Sequence, residues 1–390
     1  MKKRPVFFMF VFAALSLFLG FYSCKSPAPD VSEYPANDEI FEVVDSNATI
    51  ETRALFMNLL KYRDSSVMFG HQDDLAYGVD WWAEDFRSDV NDVAGKFPAV
   101  FGWDVGEIGQ SEENIDGISF EKMKQWMIRA YEKGGINTIS WHLDNPVTGG
   151  DSWDTTRAVY SIIPGGEKHG HYKNLLDTLA TFISDLKTED GTMVPVIFRP
   201  FHELNGSWFW WGRGSTTVEE YITLFRFTVH YLRDEKGLHN LLYSYSTDRF
   251  THEDEYLERF PGEVFVDILG YDDYWSFADE GKIPEGINSL RILAKMGQRM
   301  NKPFALTESG YETIPDPQWW TDKLLEPIKS DSLARKLSWL LVWRNHDETH
   351  HYAPYPGHSS AENFREFEKD PFTWFLSDLP DMYQPVETKE

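Results

Sequence analysis

Eight short apolar runs recur along the chain with amphipathic segments between them, and this alternation constrains the fold more than any other feature. The runs are 67–70, 99–103, 138–142, 194–199, 241–245, 264–270, 304–307 and 339–343. Between the third and fourth, Leu175, Leu176, Leu179, Phe182, Ile183 and Leu186 fall at helical spacing and form one stripe that covers a sheet. After the fourth, Ser-Thr-Thr-Val-Glu-Glu offers a capping box, Thr216 with Glu219 or Thr217 with Glu220, ahead of Tyr221, Leu224 and Phe225. Helical patterns at 287–300 and 319–325 continue the alternation. Strands separated by helices pair in parallel, and eight repeats close into a (β/α)8 TIM barrel. An open doubly wound sheet is the structural rival, but no Gly-x-Gly-x-x-Gly follows the first strand. No linker divides the chain after residue 40, so residues 39–376 read as one barrel domain and 377–390 as a C-terminal tail.

The N-terminus reads as an export signal. Lys2, Lys3 and Arg4 precede an apolar stretch too short for a confident membrane span, and the stretch ends at Ser23-Cys24. A small residue before Cys at this place is what a bacterial lipoprotein signal looks like, although Phe21 stands where Leu is commoner. Residues 1–23 are therefore expected to be the signal peptide, Cys24 the lipidation site, and the proline-containing stretch 24–38 a flexible tether. Cys24 is the only cysteine, so no intramolecular disulfide can form and stability must come from the core. The expected location is the outer membrane, on its periplasmic face or the cell surface. With 63 acidic against 37 basic residues the formal charge is −26, which disfavours nucleic acid and leaves neutral polymers as partners. A monomer is expected.

Two segments carry the chemistry: Arg-Pro-Phe-His-Glu-Leu-Asn-Gly-Ser-Trp-Phe-Trp-Trp-Gly around Glu203, and Thr-Glu-Ser-Gly around Glu308. Each puts a carboxylate just past a strand, at the barrel face where catalytic residues gather. A salt bridge at the rim, with Arg199 as the partner of Glu203, is the plain alternative. The density of Arg199, His202, Asn205 and four aromatic residues around Glu203 argues against it. Paired carboxylates suit glycosidic cleavage, with about 5 to 5.5 Å between them for retention and roughly 6.5 to 9.5 Å for inversion. Trp103, Trp141, Trp208, Tyr274, Trp275 and Trp343 all follow or end strands and are expected to converge on the mouth, where flat rings suit pyranose faces. Trp339 reads as core. A metal is the rival reading of His346, His350, His351 and His358, but Pro354, Pro356 and Gly357 argue for a substrate-lining loop and no His-Glu-x-x-His occurs. No metal and no cofactor are expected.

At these segments the chain resembles glycoside hydrolase family 26, whose best-known members are β-mannanases. The likeness also runs through Phe69-Gly70-His71-Gln72, Gly102-Trp103-Asp104, Ser140-Trp141-His142, the stretch from Tyr271 to Trp275, and Trp343-Arg344-Asn345 with Tyr355-Pro356-Gly357-His358. The resemblance implies a barrel with Glu203 as acid/base after strand four and Glu308 as nucleophile on strand seven. Most of the wider clan has Asn before the acid/base; His202 here is usual for the family. It further implies that Tyr274 hydrogen-bonds the nucleophile, that His202 and His142 contact sugar hydroxyls or the carboxylates, and that Trp208 lies beside the scissile linkage. Trp343 would form the platform on the nucleophile side and Arg344 would hold the next sugar toward the non-reducing end. Trp103, Asp104, Trp153 and Arg199 are candidate substrate contacts. The implied activity is endo-acting, retaining hydrolysis of β-mannan polysaccharide or oligosaccharide. The alternatives are the same chemistry on mixed-linkage glucan or xylan, and a surface glycan-binding protein that does not cut.

Overall fold

The computed structural model describes residues 43–385. The expected signal peptide, Cys24 and the tether at 24–38 lie outside the described residues. No described helix is long and apolar enough to cross a membrane.

Eight parallel strands form the centre: β1 (Val67–Gln72), β2 (Val100–Asp104), β3 (Ile136–Trp141), β4 (Val196–Pro200), β5 (Leu241–Thr247), β6 (Ile268–Asp273), β7 (Phe304–Ser309) and β8 (Trp339–Val342). Each pairs with the next, and β8 closes on β1 with Met68 opposite Trp339 and His71 opposite Val342. Every residue of these strands is buried, because the helical layer covers the outside and side chains fill the inside. The barrel expected from the alternation is the fold observed.

Helix α1 (Ile50–Tyr62) starts at Thr49, whose hydroxyl accepts the Thr52 N–H at 3.2 Å. Its Leu55, Phe56 and Leu59 join Met68, Val100, Ile197, Leu242, Ile268 and Ala305 in one apolar cluster. The Ser338 hydroxyl, just ahead of β8, donates to Leu59 O at 3.4 Å, so α1 plugs the N-terminal end of the barrel. Met382 and Tyr383 belong to the same cluster. Asn58 donates to Met382 O at 3.0 Å and the Tyr383 hydroxyl to Gly135 O at 2.6 Å. The segment read as a tail from residue 377 is therefore docked as far as Tyr383, since its two apolar side chains complete the plug.

The outer layer includes α2 (Phe120–Glu132), α3 (His169–Ser184), α4 (Val218–His230), α5 (Ile283–Met300) and α6 (Ala361–Lys369). Helix α3 buries Leu175, Leu176, Leu179, Phe182 and Ile183, the stripe read from the sequence. Of the two capping boxes open at α4, the structure uses Thr217 with Glu220: Thr217 Oγ1 accepts the Glu220 N–H at 3.1 Å and Glu220 Oε2 accepts the Thr217 N–H at 2.8 Å. Residues 319–325 form a π-helical turn rather than regular α-helix. The sixth strand begins at Ile268, later than expected: Gly262 at φ 106° opens a tight turn through Glu263–Phe265, and Val264 points into solvent.

Candidate active site

Glu308 is the fifth residue of β7, and Glu203 is the third residue after β4. The backbone bends sharply to bring the second one inward, with Phe201 at φ 53° and Glu203 at φ 51°, both left-handed without being glycine. Such a conformation costs of order 1–3 kcal/mol per residue and persists only where the surroundings enforce it. Here the Glu203 N–H donates to Ser246 O at 2.9 Å and the Tyr221 hydroxyl to Phe201 O at 3.1 Å. Gly206 completes the loop: a Cβ there would stand 2.4 Å from the Trp208 ring, so only glycine lets Trp208 fold back toward Glu203.

Both carboxylates line one open cavity of about 210 Å³. Trp208 Nε1 donates to Glu203 Oε2 at 2.6 Å, leaving Oε1 to carry a transferable proton. Burial, then the negative charge of Glu308, pushes the Glu203 carboxyl well above its ordinary range, and the Trp208 bond only partly opposes them. Glu308 is fixed as an acceptor on both oxygens: the Tyr274 hydroxyl donates to Oε1 at 2.6 Å, and Arg199 Nη2 donates to Oε2. Arg199 is itself buried and reaches Asp272 Oδ2 through Nη1 at 2.8 Å. Burial and the Glu308 charge push the Tyr274 hydroxyl well above its usual value, so it stays a donor across neutral pH.

Two histidines at the same wall have opposite electrostatics. His142 Nδ1 pairs with Asp104 Oδ2 at 2.7 Å; burial disfavours its charge, but the Asp104 carboxylate outweighs burial and raises it. Asp104 is held in turn by the Ser140 hydroxyl at 2.7 Å and the Gly106 N–H at 2.7 Å. His202, whose ring lies 4.7 Å from that of His142, is pushed well below its usual value by burial and then by the charges of Arg199 and His142. Its Nδ1 is buried and unpartnered. His202 is therefore a neutral ring and His142 a paired one.

Of the residues singled out from the sequence, Glu203, Glu308, Tyr274, His202, His142, Trp153, Trp208 and Trp343 line this cavity. Arg199 and Asp104 stand behind it, one holding Glu308 and the other His142. Arg344 lies beside it, paired with Asp116 Oδ1 at 2.7 Å. Trp103 is not a mouth residue: it is wholly buried, donates Nε1 to Asn137 Oδ1 at 2.9 Å and stacks on Trp126 of α2. Trp141 is likewise buried, against Tyr172 of α3. Strand period two explains both. Asp104 and Ser140 meet inside the barrel, so Trp103 and Trp141, their neighbours in sequence, face the helices. Sequence reasoning missed Asp272, Asp116, Tyr77 and the cavity-lining Tyr352, whereas Phe209, one of the aromatic residues counted around Glu203, and His350, in the loop read as substrate-lining, do line the cavity. For Asp272 a signal existed, since it shares a face of β6 with Gly270 two positions earlier.

The histidines after β8 do not form one cluster: only the rings of His351 and His358 meet, with centroids 4.9 Å apart. His346 pairs with Asp347, His350 with Glu312, and His358 Nδ1 lies 3.0 Å from the Ser360 hydroxyl. Among the described residues no three His, Cys, Asp or Glu side chains are grouped to hold a metal ion. A larger groove of about 610 Å³ lies between the loop after β2 and helices α2 and α3, but of its four carboxylates Glu121 and Asp185 are exposed and paired with Lys124, and Asp177 is paired with Lys236. Size does not mark the site; two buried carboxylates facing one cavity, with the charge of Glu308 raising Glu203, do.

An eight-stranded barrel that brings carboxylates from strands four and seven to one aromatic-lined cleft has the framework of a glycoside hydrolase. The chain belongs to glycosyl hydrolase family 26, whose profile matches residues 44–351. It is 37% identical over 322 residues to a mannan endo-1,4-β-mannosidase of Bifidobacterium adolescentis, covering 80% of this chain and 32% of that protein. A Bacillus subtilis mannan endo-1,4-β-mannosidase is 33% identical over 239 residues, 57% of this chain and 60% of its own. The chain thus spans about a third and about three fifths of these two relatives. Among solved structures, a family 26 β-mannanase from Bacteroides ovatus superposes with a TM-score of 0.84 at 42% identity, covering 88% of this chain and 99% of that one. A modular endo-β-1,4-mannanase from Cellulomonas fimi gives 0.82 at 36% identity, covering 89% and 80%.

Proposed function

We propose that this chain hydrolyses internal β-1,4-mannosidic linkages in mannan, galactomannan or glucomannan, with retention of configuration, by double displacement. The observation that carries the reading is the asymmetry of the two glutamates. Glu203 is pushed toward its protonated form, while Glu308 faces two donors, Tyr274 and Arg199, that only an acceptor oxygen satisfies. One group is prepared to give a proton and the other to attack.

In the first step Glu203 Oε1 gives its proton to the departing glycosidic oxygen while a Glu308 oxygen attacks the anomeric carbon. The C–O bond to the leaving sugar breaks, the bond to Glu308 forms, and the electron pair leaves with the protonated oxygen. Esterification removes the Glu308 charge, which is one of the two main causes of the high Glu203 value. Glu203 therefore stays ionised once it has given up its proton and is available as the base of the second step. It then takes a proton from water, whose oxygen displaces Glu308 from the opposite face and restores the β configuration. Neutral His202 and the paired His142 supply hydrogen-bonding groups to sugar hydroxyls, and Trp208 and Trp343 supply the flat surfaces. The mannose preference is supported by the relatives, which are mannan endo-1,4-β-mannosidases over most of this chain.

The test is a product time course on mannan, galactomannan, xylan and mixed-linkage glucan, with the anomer of the first product followed by NMR. The wild type is expected to release manno-oligosaccharides as β-anomers, and Glu203→Gln and Glu308→Gln to lose about 10²- to 10⁴-fold or more. Absence of cleavage of any polymer, or near-full activity in either variant, would overturn the assignment. We further propose that Cys24 is acylated and tethers the enzyme to the outer membrane. Cys24→Ala should then move the protein from the membrane to the soluble fraction.

A further inference from the structure

Four tryptophans among the described residues are exposed: Trp82, Trp153, Trp208 and Trp275. All four sit in loops that leave the C-terminal ends of barrel strands, after β1, β3, β4 and β6 respectively. Trp153 stacks on His142 with ring centroids 5.3 Å apart, and Trp208 bonds Glu203. The Trp275 ring is occupied by the Lys282 ammonium, 3.8 Å from its centroid. Trp82, half exposed, has no part in the chemistry described above.

Its position is nonetheless built with care. Trp82 ends a two-stranded hairpin in which Tyr77 pairs with Trp82 and Gly78 with Trp81. The Trp81 indole donates to Asp89 Oδ1 at 2.7 Å, and Asp89 Oδ2 accepts from the Val79 N–H and from Asn345 Nδ2, both at 2.9 Å. The hairpin is thereby tied to the segment that bears Trp343 and Arg344. The fit leaves no slack: a Cβ on Gly78 would lie 2.2 Å from Trp81 Nε1 and 2.4 Å from Asp89 Oδ2. One face of the Trp82 ring is stacked on Tyr77, with centroids 4.8 Å apart and planes 8° from parallel. The Tyr77 hydroxyl donates to Asp73 Oδ2 at 2.9 Å and accepts from Arg344 Nη1 at 3.1 Å. Arg344, the sequence neighbour of the cavity-lining Trp343, is therefore linked through Tyr77 to the exposed ring of Trp82. These residues follow β1 and β8, on the far side of an eight-strand ring from Trp208 after β4. Trp208 attends the carboxyl that protonates the leaving group, so Trp82 stands at the other, glycone, end.

We propose that Trp82 is a sugar platform at the glycone end of the cleft, receiving a pyranose of a β-1,4-linked mannan chain beyond the one that reaches Arg344. A half-exposed indole, fixed from below by a parallel ring and near a partly buried arginine, offers a flat apolar face that costs little to order when a sugar lands on it. The inference rests on the mannan reading above. It is tested by kcat/KM on mannotriose and mannohexaose for wild type, Trp82→Ala and Trp82→Phe. Trp82→Ala should lose about tenfold on mannohexaose and stay within about twofold on mannotriose, with Trp82→Phe recovering most of the loss. Equal losses on both substrates, no loss on either, or a gain on mannohexaose would overturn the platform, the last by making the ring an end wall. Calorimetric binding of mannohexaose to Glu308→Gln, with and without Trp82→Ala, separates the two readings. A wild type that cleaves no manno-oligosaccharide strikes the mannan reading; hexaose binding that Trp82→Ala leaves unchanged strikes the platform.

Discussion

Replacing Tyr274 by Phe removes one oxygen and leaves the ring in place against Tyr352, 5.6 Å away. What disappears is the 2.6 Å hydrogen bond to Glu308 Oε1, a length typical of a hydroxyl donating to a charged carboxylate. Bonds of that kind are worth about 1.5–3 kcal/mol, and each 1.4 kcal/mol is tenfold in rate. If the bond holds Glu308 in line for attack, kcat/KM on mannan should fall about 10- to 150-fold. Arg199 still engages Oε2, so the loss should not reach that of Glu308→Gln. Because no cavity larger than a hydroxyl forms, unfolding free energy should stay within about 1 kcal/mol of wild type. The assay is steady-state hydrolysis of mannohexaose beside a denaturant unfolding curve for the same preparation. Activity within twofold of wild type would refute the role given to Tyr274. A fall in activity accompanied by a collapse in stability would assign the loss to packing instead.

Two further expectations concern proton linkage. The Trp208 N–H favours the ionised form of Glu203, so Trp208→Phe should let Glu203 keep its proton to higher pH and move the alkaline limb of the kcat/KM profile upward; a limb that stays or moves down contradicts this. Asp267 is buried and raised to about 6 despite accepting the Val44 and Tyr243 N–H groups. A carboxyl that binds its proton more tightly folded than unfolded contributes stability below its unfolded value and loses it as pH rises through about 6. The interval from 3.8 to about 6 corresponds to about 3 kcal/mol. The stability of wild type relative to Asp267→Asn should therefore fall by most of that amount, about 2 kcal/mol, between pH 4 and pH 7, read from denaturation midpoints at fixed pH. A difference independent of pH would refute it.

The barrel was legible because its evidence is local. An apolar run signals a strand, a 3.6-residue stripe signals a helix, and their alternation leaves few topologies. Glu203 and Glu308 were legible for a related reason, since each is named by its place at a strand end and by its immediate neighbours. Trp103 and Trp141 were misread because run and position do not say which face of a strand looks inward. That parity is set when β8 closes on β1 and the register of every pair follows. The sixth strand starts later than its apolar run for a similar reason: Val264 opens the run, but the chain turns there.

From the sequence alone come the eight strand–helix repeats, the two carboxylates at the catalytic face, and the wealth of aromatic side chains, because periodicity and residue chemistry are written along the chain. Only the tertiary structure decided how the two glutamates differ. Arg199, Asp272, Tyr274 and Glu308 come from strands or loops four, six and seven, and the charge each group carries depends on burial and on neighbours distant in sequence. It also decided that the hairpin after β1 meets Arg344 after β8, since those two ends of the chain become neighbours only when the barrel closes.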